Sequence, residues 1–164
     1  MQLRERLLSA IPEVELEIDN NLPAKGGGFY YQDEFEPDGV ITITGKVDYY
    51  RQNGILAEEI GHQQTASGNI LDAYRPSRRK NISSLKEELK GRRWGHDLAV
   101  PLQKLIDCYN SGVWGNVYDM CLSMGIDRTY FYEIIQDYKV RYGPYIKHNG
   151  YIINFEPLDI EKLE

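Results

Sequence analysis

Glu58, Glu59 and His62 fall together in the stretch ILAEEIGH, residues 55–62. On a helix, Glu58 and His62 stand four residues apart and point from one face, one turn from each other. That spacing lets two side chains chelate one metal ion. Glu59, three residues before His62, lies beside them, where its carboxylate can take a proton from a water that the ion activates. The pattern differs by one letter from H-E-x-x-H, in which one helix supplies two imidazole ligands and a general base. Here Glu58 stands at the first histidine position. Taken alone the signal is weak, because a pair of glutamates near a histidine is common on a solvated helix face. Glu59-x-x-His62 also has the spacing of di-iron carboxylate bundles, but that site needs a second E-x-x-H. The other histidines, His96 and His148, are preceded at that spacing by Arg93 and Tyr145, so this reading is set aside.

The elements that must carry these residues can be read from pattern. Residues 46–66 read as one helix, with Gly68 as its stop signal. Ahead of it, Leu3, Leu7, Leu8 and Ile11 make one face of a short helix that Pro12 ends. VELEI, GFYYQ and VITIT read as strands, the last two joined by the turn-rich DEFEPDG. After a polar, basic stretch containing Arg75, Arg78, Arg79 and Lys80, Ser84 and Glu87 form a capping-box signature that opens a helix to about Leu98. Pro101 opens the next helix, with Leu102, Leu105, Ile106 and Tyr109 at helical spacing. A short helix, a Gly125 turn, an Asp127 cap and a longer helix striped by Phe131, Ile134, Ile135 and Tyr138 follow. YIKHNGYIINF is the clearest hairpin, because Asn149-Gly150 is a preferred two-residue turn.

The expectation is an α+β fold, mostly helical, with a small antiparallel β-sheet. The 164 residues suit a single domain, 1–164, with a C-terminal helical part at about 101–143 followed by a β-hairpin. The net charge of −6 argues against a broad nucleic-acid or anionic-membrane surface. No apolar run is long enough to span a bilayer, and the charged N-terminus does not read as a signal peptide. Cys108 and Cys121 lack any C-x-x-C context and read as reduced core thiols of a cytoplasmic protein. Thirteen tyrosines against four phenylalanines suggest a contact surface rich in phenol groups.

GILAEEIGHQQTASGNI, followed by SLKEELKGRRWGHDLAVPL, resembles the ImmA/IrrE family of metallopeptidases, which often accompany phages and other mobile elements. That family sets a strand pair ahead of a zincin-like active-site helix. A second helix then brings a glutamate six residues before an aromatic, as Glu88 stands before Trp94 here. DMCLSMGI and YKVRYG also look like the family's C-terminal helices, so the resemblance runs from about Gly28 to Gly143. It implies His62 as a metal ligand, Glu59 as the catalytic base and Glu88 as the third ligand, with Glu58 departing from the pattern. Two carboxylates and one imidazole would neutralise the ion and weaken it as a Lewis acid. They would also relax a preference for zinc toward manganese or iron.

The resemblance implies a zinc-dependent endopeptidase whose protein substrate is a helix-turn-helix repressor of a phage or mobile element. An extended peptide could add to an edge of the VITIT or GFYYQ strand. The alternative is a non-catalytic, anti-repressor-like binding module on the same scaffold, which Glu58 keeps open. Direct nucleic-acid binding is the least favoured reading, because the helix after MGID looks committed to packing. His96, two turns beyond Glu88, reads as a surface histidine or as a group behind the ligands, the surface being favoured. Tyr142 or Tyr138, or His148 at the exposed hairpin turn, could stabilise an oxyanion.

Overall fold

The computed structural model describes residues 1–65 and 82–164. Gly68 and the basic run from Arg75 to Lys80 lie outside the described residues. The fold is α+β, and the chain divides into two compact units, Met1–Ala99 and Val100–Glu164.

The first unit begins with α1 (Leu3–Ser9), whose Leu3 and Leu7 are buried. Three strands follow: β1 (Glu15–Asp19), β2 (Gly28–Tyr31) and β3 (Val40–Thr44). β3 is central, in the order β1-β3-β2. β2 runs antiparallel to it, with Gly28 opposite Ile43, as the turn-rich connection suggests. β1 runs parallel to β3, with Leu16 opposite Ile41, so the sheet is mixed rather than antiparallel throughout. β1 and β3 are not joined by a turn, and a direction set by two strands about 20 residues apart has no local signal. Every residue of β3 is buried, which explains its unbroken VITIT.

Two long helices complete the unit: α2 (Tyr49–Thr65) and α3 (Ile82–Ala99). α2 starts three residues later than its sequence suggests, because Asp48 caps it by accepting from the Arg51 N–H at 2.8 Å. Ser84 lies inside α3 rather than at its cap. Leu56, Ala57 and Ile60 of α2 are fully buried with Ile41 and Ile43 of β3. Arg6 of α1 donates to the carbonyls of Leu98 and Ala99, the latter at 2.9 Å, and so caps the end of α3. Arg4 donates from Nε to the buried Asn53 of α2 at 2.8 Å.

The second unit holds α4 (Leu102–Asn110), α5 (Val117–Met124) and α6 (Arg128–Tyr142). Pro101 is the N-cap residue of α4, and Gly125 ends α5 at φ 82°. Phe131, Ile134, Ile135 and Tyr138 are all buried, as their spacing predicts. Tyr138 also donates its hydroxyl to the Val100 carbonyl at 2.5 Å. The expected hairpin forms from β4 (Tyr145–His148) and β5 (Tyr151–Phe155), with Asn149 at φ 47° and Gly150 at φ 83°. β6 (Leu158–Lys162) extends it to a three-stranded antiparallel sheet that the sequence reading did not anticipate. Cys108 and Cys121 are free buried thiols. Among the described residues, no helix is long and apolar enough to cross a membrane.

Candidate metal centre

Three glycines allow α2 and α3 to meet almost backbone to backbone. A Cβ at Gly61 would stand 2.0 Å from the Gly91 carbonyl oxygen and 2.9 Å from the Gly95 nitrogen. A Cβ at Gly95 would stand 2.7 Å from the Ala57 carbonyl oxygen. Residue 61 therefore opposes 91 and residue 57 opposes 95, so the helices run antiparallel. Such closeness is open only to glycine.

The motif residues of α2 divide between two faces. Glu59 is 8% exposed and turns toward the sheet, where a Cβ at Gly28 of β2 would lie 3.3 Å from its Cγ and 3.5 Å from its Oε1. His62 turns toward α3. A Cβ at Gly91 would stand 2.4 Å from His62 Nδ1 and 3.0 Å from Cε1, so the missing side chain is what makes room for the imidazole. Burial is the main reason the His62 pKa lies below its ordinary value; the Glu88 carboxylate raises it and the Arg92 guanidinium lowers it further. The ring is therefore neutral at neutral pH, the form that binds a metal. Its electrostatic neighbours on α3 are Glu88 and, one turn on, Arg92. Arg92 Nη2 lies 3.2 Å from Glu88 Oε1 in an ion pair that is partly exposed.

Glu58 has a different neighbour. A carboxylate oxygen of Glu58 and a ring nitrogen of His96 lie within 4.8 Å of each other, near enough to share an ion. His96 is 4% exposed, which corrects the expectation of a surface histidine. The backbone of α3 comes close to Glu58 here: a Cβ at Gly95 would stand 3.3 Å from the Glu58 Cα, and His96 is the residue that follows Gly95. Of the residues expected from the sequence, Glu59 faces the sheet, His62 lies toward Glu88, and Glu58 lies beside His96 rather than in one group with His62 and Glu88. Carboxylate oxygen and imidazole nitrogen suit zinc, manganese or iron. The space left by Gly91 is the cradle in which the His62 imidazole sits, and an imidazole with a carboxylate on the facing helix is a donor pair of the kind such an ion takes.

Tyr142 and His148 belong to the second unit. Tyr142 ends α6, stacks on Phe155 with ring centroids 6.3 Å apart, and is partly exposed. His148 is half-buried on β4, not at an open tip, and its Nε2 lies 3.2 Å from Asn149 Nδ2. Tyr138 is buried. Gly61, Gly91, Gly95 and Arg92 fall outside the motif that marks α2. G-x-x-x-G at 91–95 and the four-residue step from Glu88 to Arg92 were the available signals.

No protein-family model, no curated protein and no solved structure matches the chain.

Proposed function

We propose that the chain is a metal-dependent endopeptidase of the ImmA/IrrE type, acting in the cytoplasm on a protein substrate. By resemblance that substrate is a helix-turn-helix repressor of a phage or mobile element. The observation that carries the reading is the place of Glu59, which lies buried against Gly28, the first residue of strand β2. His62, on the next turn, lies toward Glu88 of α3.

Bound zinc, or manganese or iron, would supply Lewis-acid polarisation of a carbonyl and a more acidic water. By the resemblance, Glu58, His62 and Glu88 would hold it; in the fold, Glu58 lies beside His96, while His62 lies toward Glu88. Glu59 takes the proton of the attacking water and returns it to the leaving amine. Among the described residues β2 is an edge strand and β3 is not, so of the two strands GFYY is the one open to an extended peptide by strand addition. That edge starts at Gly28, the residue over Glu59.

The second reading, a non-catalytic anti-repressor-like module, is favoured by one observation: Glu58 lies by His96, so the motif's two end positions face different partners on α3. Direct nucleic-acid binding through α6 is disfavoured, because Arg141 is held by Asp137 at 3.0 Å and stacks on Tyr138. Zinc binding at micromolar concentration, together with cleavage of peptides held extended or helical, tests the proposal. A chain that ignores zinc yet grips a repressor assigns it the second reading.

A further inference from the structure

We propose that Arg92 is a resident cation of the metal centre, which a divalent ion must displace from Glu88 before the site loads. The inference rests on the reading of His62 and Glu88 as ligands. Arg92 Nη2 sits 3.2 Å from Glu88 Oε1, one helical turn along α3, and its charge is felt at His62 as well. It therefore stands beside both residues assigned to the ion. A carboxylate held by a guanidinium has part of its charge already compensated, so an incoming divalent cation gains less from it and meets a like charge nearby. Arg92 cannot lose its proton at any ordinary pH, so the competition is permanent and is relieved only by movement of the side chain. Arg92 is itself about half exposed, which leaves its side chain room to swing into solvent when the ion enters. Its place beside Glu88 then falls to the ion, and Arg92 sets how tightly the centre loads.

The test is zinc affinity of the full chain, measured by competition with a chromophoric chelator, with folding checked by circular dichroism. Because the pair is partly exposed, solvent screens it, and Arg92→Gln is expected to tighten zinc binding roughly five- to thirty-fold. Arg92→Lys keeps the charge and is expected to stay near the parent. The gain in Arg92→Gln shrinks as salt is raised. If Arg92→Gln binds zinc as the parent does while Glu88→Ala loses it, the ligand reading stands and the inference is overturned. If Glu88→Ala binds zinc as the parent does, the ligand assignment fails and the inference falls with it. A Lys variant as tight as the Gln variant also refutes it, because charge would then not be the cause.

Discussion

Gly61→Ala is the sharpest test of how the centre is built. The new Cβ would lie 2.0 Å from the Gly91 carbonyl oxygen, where ordinary contact begins at 3.4 Å. The difference, 3.4 − 2.0, is 1.4 Å, and neither obstacle is a side chain that can turn away. α2 and α3 must separate by about that much, loosening Leu56, Ala57 and Ile60, which are fully buried. Overpacking of this kind costs roughly 2–4 kcal/mol, set against about 1 kcal/mol of helix propensity gained by alanine. The net is a loss of roughly 1–3 kcal/mol, or about 2–12 °C in melting temperature for a chain of this size. Urea denaturation followed by circular dichroism measures it, with exposed Gln64→Ala as a control expected within about 0.5 kcal/mol of the parent. Gly91→Ala provides the contrast. Its Cβ meets mainly the His62 ring, at 2.4 Å, and a ring can rotate away. It should cost less stability than Gly61→Ala but weaken zinc binding more than tenfold. A Gly61→Ala protein as stable as the parent would refute the crossing.

Other outcomes follow from the same geometry. Glu59→Gln keeps the shape and the metal but cannot accept a proton, so cleavage should fall at least a hundredfold at unchanged zinc content; a variant that cuts like the parent removes Glu59 as the base. Glu58→His sets an imidazole by His96 and restores the H-E-x-x-H spelling, so zinc should bind as tightly or more tightly and be favoured over manganese; parent and variant both indifferent to zinc would reduce Glu58 to a helix acid. Burial, with the Asp127 carboxylate, pushes the Cys121 thiol up to about 11. A folded pKa above the unfolded one stabilises below the unfolded value and loses that contribution as pH rises through the folded one. Stability should therefore fall between about pH 9 and pH 11, and Cys121→Ala should flatten that slope in pH-dependent urea melts.

What the sequence makes legible is what repeats locally. Asn149-Gly150 announces its turn, Pro101 and Asp127 mark helix starts, and the spacing of Phe131, Ile134, Ile135 and Tyr138 announces a buried stripe. The one-turn separation of Glu58 and His62 is likewise a property of α2 alone. Which residue of α3 meets each of them depends on how two helices are offset, and neither helix encodes that by itself. Gly61 and Gly91 look like minor losses of helix propensity until they are seen opposite each other. The burial of His96 is likewise a tertiary fact, which the sequence of α3 alone does not carry. β6 escaped because LDIEK has two apolar residues among charges, and the parallel course of β1 because no turn links it to β3.

The clasp between Arg6 and the end of α3 spans 92 residues of chain. During synthesis at ~5–20 residues per second, Arg6 waits roughly 5 to 18 s before the Leu98 carbonyl has even been made. Through that interval the apolar face of α1, Leu3 and Leu7, has no finished unit to settle on. Arg4 can reach Asn53 as soon as α2 is made, but the Arg6 clasp forms only when the last turn of α3 has left the ribosome and its two terminal carbonyls become available to the guanidinium. Ribosome-arrested chains should stay protease-sensitive at α1 until that turn is exposed, and resist afterwards.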